Sequence, residues 1–257
     1  MKKQSLFSYI KNRYLSAKAN SIILTTYTLF VLATLIYSFV LLNFRNVGLC
    51  CLYLVFPFLA YLIEFIFKIK FPPLFTLIVF FVPTGGMLGA CYDFYTLIPF
   101  FDGILHGTTG FIFPCMGFAI ISNLLKELPE KKRFYGCLIF AITFSLSISV
   151  LWEIFEYLAG KLLGQDMLAD TIITDINSHY LAGTHDTIYS IHDINKTIIY
   201  YGNNQILTID GYLDIGVIDT ICDMIIHLTC TTLFTIVAII SYYKCPKINK
   251  ALIPEIK

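Results

Sequence analysis

Six ionisable residues stand in pairs inside otherwise apolar stretches of this 257-residue chain: Asp102 with His106, Glu153 with Glu156, and Asp219 with Asp223. The spacings are i,i+4 or i,i+3, so within a helix each pair shares one face. A charged side chain at the centre of a bilayer costs roughly 2.5–3.5 kcal/mol on insertion scales, so such residues are rare there and tend to carry function. Several carboxylates with one imidazole suit a divalent metal. Oxygen-rich donor sets favour Mg, Mn or Ca, and the imidazole admits Zn or Fe, with Zn, Mg or Mn the leading candidates. In this reading His106, Glu153, Glu156, Asp219 and Asp223 hold the ion, which activates water or polarises a phosphoryl or carbonyl oxygen. Asp102 orients His106 or acts as base, which makes Asp102 and His106 the candidate catalytic pair.

A purely structural reading has unequal force across the three pairs. Asp102 and Asp219 precede apolar runs, where a carboxylate caps free N–H groups and suits the helix dipole. Glu153 and Glu156 instead sit near the end of an apolar run, where negative charge is disfavoured. Two acids one turn apart at such a position call for a cation. His227, one turn beyond Asp223, either extends the site or packs, and packing is the simpler expectation.

The elements that must position these residues follow from composition. Hydrophobic residues make up 57% of the chain and charged residues 14%, against about 25% charged in soluble domains. Six runs are long enough to span a bilayer, at 21–42, 47–67, 74–92, 103–125, 134–158 and 219–243. The expected fold is an all-α membrane protein, a six-transmembrane-helix bundle over 21–243 with residues 159–218 inserted as a loop between helices 5 and 6. Residues 1–20 form a basic N-terminal segment and 244–257 a tail. Residues 5–18 have the pattern of a short amphipathic helix, with a plain positively charged topology anchor the simpler expectation, and the first apolar run is too long for a signal peptide.

Positive charge sets the orientation. Alternate connections and ends carry 15 Lys and Arg on one side against 3 on the other. By the positive-inside rule both termini are cytoplasmic and the loop 159–218 is extracytoplasmic in a plasma membrane. The three pairs then reach the same depth, within about 10 Å of the outer boundary at 1.5 Å per residue. This convergence is the main reason to read them as one site.

The loop is acidic, with Asp166, Asp170, Asp175, Asp186, Asp193, Asp210 and Asp214. Residues 187–191, 197–201 and 206–209 are β-like, and Gly202-Asn203-Asn204-Gln205 is a turn signal, so a small hairpin or three-stranded cap is expected. Its histidines, His179, His185 and His192, are expected to be ordinary exposed loop residues. Gly85 and Gly89 form a GxxxG packing face, and Asp93 lies close enough in sequence to reach the rim of the site. Glu64 is the main acid on the inner side, with Lys68 at i+4 its expected partner. The eight cysteines lack any CxxC and read as small buried residues. No nucleotide-binding, zincin or serine-hydrolase motif is present, and no basic aromatic patch points to nucleic acid.

Asp102-x3-His106-x3-Gly110, Trp152-Glu153-x2-Glu156 and Asp219-Thr220-x2-Asp223-Met224 together resemble the YjdF-like family of bacterial multi-pass inner-membrane proteins. The Asp-x3-His helix is also similar, more distantly, to VanZ-like membrane proteins. The YjdF-like resemblance covers roughly 90–240 and implies the same helical fold and site, but no reaction. It departs at Trp152, which here precedes the glutamate pair, and before Asp219, where the family's Gly-Thr-Gln-Gly-Asp run is replaced by residues 211–216.

Three functions fit these observations. The leading one is a metal-dependent enzyme, a hydrolase or phosphoryl-transfer enzyme, acting on a lipid or lipid-linked substrate among membrane lipids. The second is an ion-coupled transporter or proton/cation pathway, although helices 1–3 offer few polar groups and no repeat of helices 4–6. The third is a non-catalytic scaffold or receptor with a structural ion.

Overall fold

Apolar runs in this chain are bounded by Pro, Gly and charged residues, and helices fill almost all of the length between those boundaries. The computed structural model describes residues 5–245, 247–248 and 253–256; Lys2, Lys3, Lys250 and Lys257 of the charge argument lie outside them. A surface helix α1 (Leu6–Ser16) leads into α2 (Lys18–Val40), and a second span is built from α3 (Phe44–Tyr53) and α4 (Phe56–Phe67). The break falls just before Pro57, which lies in the first turn of α4, where a missing N–H does no harm. After β1 (Ile69–Lys70) come α5 (Pro73–Tyr92), the short α6 (Phe94–Leu97), α7 (Phe101–Ser122) and α8 (Glu130–Leu163). The loop holds β2 (Thr171–Ile173), β3 (Ile176–Ser178), α9 (His179–Ala182), β4 (Tyr189–Ile191), β5 (Thr197–Tyr201), β6 (Gln205–Ile209) and β7 (Tyr212–Asp214). The last span is α10 (Val217–Lys244), and β8 (Glu255–Ile256) pairs antiparallel with β1.

Six of these helical stretches are long and apolar enough to cross a membrane, as the composition predicts. At 34 residues α8 is about 51 Å long, well beyond the ~30 Å hydrocarbon core. Its first turn carries Lys131, Lys132 and Arg133, which end the apolar run in water.

The chain divides into two compact units. One runs to Val150 and resumes at Asp223; the other is Leu151–Cys222. The core of the first is a single cluster including Tyr27, Val31, Phe75, Phe80, Met87, Ile112 and Phe234. Small residues allow close helix approach there. A Cβ on Gly85 would strike Leu105 of α7, so the GxxxG face does pack. Gly110 is less forgiving, because its neighbour is backbone: a Cβ there would lie 2.5 Å from the carbonyl oxygen of His227 on α10. Gly103 and Gly107 lie on the same seam, against Ile226 and Cys230.

Glu64 does not rely on Lys68, which closes α4 in the left-handed conformation. Its carboxylate accepts from the Arg13 guanidinium at 3.0 Å, from the Tyr9 hydroxyl at 2.9 Å and from the Phe71 N–H at 2.6 Å. The amphipathic helix α1 is thereby fastened to the end of α4. Tyr9, held beside that carboxylate and partly desolvated, has its phenol pushed well above the usual range, chiefly by burial.

In the second unit the expected hairpin is β5 with β6, in the register Tyr200↔Ile206 and Ile198↔Thr208. Two further antiparallel pairs accompany it, β2 with β7 and β3 with β4. Thr171-Ile172-Ile173 and Ile176-Asn177-Ser178 are too short to register as strands without their partners. All eight cysteines are free thiols; Cys50, Cys115 and Cys137 are buried, whereas Cys51, Cys222 and Cys245 are exposed rather than buried as expected.

Candidate functional site

The glycine seam between α7 and α10 brings Asp102 and His106 of the first predicted pair together with Asp223 of the third. Asp102 lies in the first turn of α7, and His106 is one turn further on. Asp223 lies six residues into α10, about 9 Å along it. His106 Nε2 is 3.7 Å from Asp102 Oδ2 and 3.8 Å from Asp223 Oδ2. One donor atom from each of the three residues lies within 4.8 Å of the others. His106 and Asp223 are buried, and Asp102 is partly exposed at the mouth.

These separations are informative. They exceed the range of a direct hydrogen bond. Two ligand atoms each about 2.1 Å from one ion lie roughly 3–4 Å apart in tetrahedral or octahedral arrangements. A 1-His-2-carboxylate donor set of this spacing suits Zn or Mn better than Ca, whose sites take six to eight oxygens.

Beneath these residues lies a polar network that the sequence only hints at. His227 is almost fully buried. Its Nε2 is 2.9 Å from Ser145 Oγ of α8, and its Nδ1 is 3.2 Å from Thr109 Oγ1 of α7. Ser145 also meets Thr231 Oγ1 at 2.9 Å, and the Thr231 hydroxyl donates to the Gly110 carbonyl. Thr109 donates to the carbonyl of His106 itself, which fixes the turn that presents the imidazole. The expectation that His227 merely packs is therefore replaced: it packs and is hydrogen-bonded at both ring nitrogens. Ser145, Thr109 and Thr231 are missed by sequence reading because hydroxyls in apolar helices are commonplace and usually bond their own backbone. The signal that could have found Ser145 is the run Ser145, Ser149, Glu153, Glu156, which keeps to one face of α8.

Below Thr231 the next buried residues of α10 are the apolar Phe234 and Ala238, ahead of Ser241. Phe234 packs edge-on against Phe111, with ring centroids 5.6 Å apart. The continuous polar track ends at Thr231, two turns below Asp223.

The glutamate pair lies on α8, seven to ten residues before its end at Leu163. Around it, Trp152, Ile154, Phe155, Tyr157 and Leu158 are all exposed, while Glu153, Glu156 and Ala159 are the buried positions. The acids face inward and the apolar residues outward, the reverse of a soluble helix and the arrangement expected of functional acids in a span. Asp219 accepts a hydrogen bond from the Ala169 N–H at 2.7 Å and so ties the loop to the first turn of α10. Asp93 takes φ 58° at the end of α5, where it turns the chain into α6. In the loop, His179 Nδ1 lies 2.8 Å from the Thr187 carbonyl and His192 Nδ1 lies 2.8 Å from Asp175 Oδ1.

Residues 22–244 match the model of a family described as "Predicted membrane protein (DUF2238)". That match covers most of the chain, so the protein belongs to this family of multi-pass membrane proteins. No curated protein and no solved structure matches it.

Proposed function

For this member of the predicted membrane protein family DUF2238, we propose a metal-dependent enzyme that acts on a lipid or lipid-linked substrate at the bilayer surface. The observation that carries the reading is His106 Nε2 standing 3.7 and 3.8 Å from two carboxylates on neighbouring helices. This spacing is too long for hydrogen bonds and suited to shared coordination. His106 and Asp223 are the core ligands. Asp102, the most exposed of the three, orients His106 or takes the proton from an attacking water. Glu153, Glu156 and Asp219 join the ligand set by their shared depth along the spans. The divalent ion, Zn, Mn or Mg, would supply Lewis acidity toward a phosphoryl or carbonyl oxygen. Ligands in the first turns of α7 and α10 lie near the end of a span, where lipid headgroups are found. The likeness to YjdF-like and, more distantly, VanZ-like proteins belongs to the same proposal.

The test is elemental analysis of the detergent-purified protein, wild type beside His106→Ala and Asp223→Asn. Stoichiometric metal that is lost in both variants is expected. No metal in the wild type would sink the reading.

A cation or proton pathway is favoured by one observation, the inward continuation through His227, Ser145 and Thr231. Its end at Phe234 against Phe111 weighs against conduction. Flux in proteoliposomes that Asp223→Asn abolishes would reverse that order. The orientation proposed with the site, termini cytoplasmic and loop outside, is checked by labelling Cys222 and Cys245 with an impermeant thiol reagent on intact cells. Only Cys222 is expected to react.

A further inference from the structure

Strands β5 and β6 form a hairpin with no charged residue from Thr197 to Ile209. Its charges are confined to the base, where Asp193 and Lys196 precede it and Asp210 follows. Successive residues of a strand point to opposite faces. Ile198, Tyr200 and Ile206 lie on one face, and Ile199, Tyr201 and Leu207 on the other. All six are exposed, Tyr200 at 74% and Ile206 at 60%. The two strands pair only with each other among the described residues, so both edges are open as well as both faces exposed. An isolated two-stranded hairpin is marginal in water, and one that is apolar on both sides is worse placed.

We propose that this hairpin lies in the headgroup and upper acyl region of the bilayer that holds the spans. Three observations favour lipid over a protein partner. A partner or second copy that docks on a strand hairpin covers one face or an edge, whereas here both faces carry isoleucine, leucine and tyrosine. The uncharged stretch ends abruptly at charged residues on both strands, the pattern of a segment that enters an interface up to its polar base. Tyrosine at positions 200 and 201 suits the headgroup level, where a ring can bury while its hydroxyl stays wet. The loop is also tethered at both ends to spans, α8 ending at Leu163 and α10 beginning at Val217, so a bilayer surface is always within reach. The proposal is independent of the metal reading and stands or falls without it.

The experiment uses the full chain in nanodiscs of phosphatidylethanolamine and phosphatidylglycerol. Trp152→Phe removes the single native tryptophan, and Tyr200→Trp or Leu207→Trp then reports one face of the hairpin each. Brominated lipid quenches only tryptophan that touches the bilayer. The expected result is blue-shifted emission from both reporters, with both quenched by lipid brominated near the headgroup end of the acyl chain. Water-like emission without quenching from both would overturn the proposal. Quenching of one reporter alone would overturn it in favour of one-sided protein contact. A blue shift without quenching that grows with protein copies per disc would overturn it in favour of a second copy. A fold-disrupting change at one position is recognised because the other reporter, on an intact partner strand, is read separately.

Discussion

Ser145 on α8 and His227 on α10 meet at 2.9 Å in the buried interior, Oγ to Nε2. His227 is 1% exposed, so the hydroxyl is a partner that water cannot replace. Ser145→Ala leaves one ring nitrogen buried and unfilled, a loss of about 1–3 kcal/mol. A fall in the thermal midpoint in detergent is expected. Thr232→Ala provides the contrast: its hydroxyl is exposed and bonds only the Leu228 carbonyl of its own helix. That variant should unfold within the error of wild type.

Gly110 sets the approach of α7 to α10. The nearest atoms to an added Cβ are the oxygen of His227 at 2.5 Å and its Cα at 3.0 Å, both backbone. Backbone cannot rotate aside, so Gly110→Ala must push the helices apart, with a destabilisation of about 1–3 kcal/mol or more. The same shift would separate His106 from Asp223, so metal retention should fall along with stability. Gly48→Ala, with nothing within 4 Å of the new Cβ, should be neutral or stabilising by about 0.5–1 kcal/mol. Thermal unfolding of the two variants side by side checks both statements.

The spans were legible because twenty-odd apolar residues bounded by charge admit one arrangement in a bilayer. The pairing of Asp102–His106 with Asp223 was legible for the same reason, since helical spacing and equal depth leave few alternatives. What escaped was long-range side-chain choice. Glu64 has Lys68 at the favoured helical spacing, yet the chain turns left-handed at Lys68 and Arg13, 51 residues away, takes the carboxylate. Short strands such as Ile176–Ser178 also escaped, because three residues carry no periodicity of their own and form only against Tyr189–Ile191. Asp219 was ambiguous between cap and ligand, and its carboxylate accepts from the amide of Ala169, 50 residues upstream in the loop, a partner that helical spacing does not indicate.

Arg13 and Glu64 form a buried ion pair with side chains only 13% and 4% exposed. Removing one partner of such a pair typically costs about 3–5 kcal/mol, because the other charge is stranded. Arg13→Ala should therefore lower the thermal midpoint strongly. The double variant Arg13→Met with Glu64→Leu should lose less than the two single changes added together. A double-mutant cycle by denaturation in detergent is the measurement, and simple additivity would contradict the pairing.

Asp175 lies fully at the surface and is held below the usual carboxylate range, first by the Thr174 hydroxyl and then by His192. A depressed folded value means that the tie stabilises the loop above the ordinary carboxylate range and is lost as pH falls through the lowered value. The contact between β3 and the turn at His192 should thus persist at neutral pH and loosen only in strong acid. Loop protease sensitivity between pH 7 and about 3 follows this. Asp175→Asn should remove the acid-dependent step while leaving cleavage at neutral pH nearly unchanged, because an exposed contact contributes little.

Glu153 and Glu156 give the sharpest division between ion binding and proton sharing. If a cation is bound, adding it at about 100 times its dissociation constant stabilises the folded protein by roughly 2.7 kcal/mol. Thermal midpoints should rise with Zn or Mn in the wild type, and a chelator should reverse the rise. Asp223→Asn should abolish the response, since its carboxylate lies 3.8 Å from His106 Nε2 in the same cluster. Glu153→Gln and Glu156→Gln then decide whether the inward-facing acids of α8 share the ion. Loss of the metal response in both variants makes them ligands. An unchanged response with a lower midpoint in metal-free protein makes them structural acids that share a proton, and confines the metal site to Asp102, His106 and Asp223.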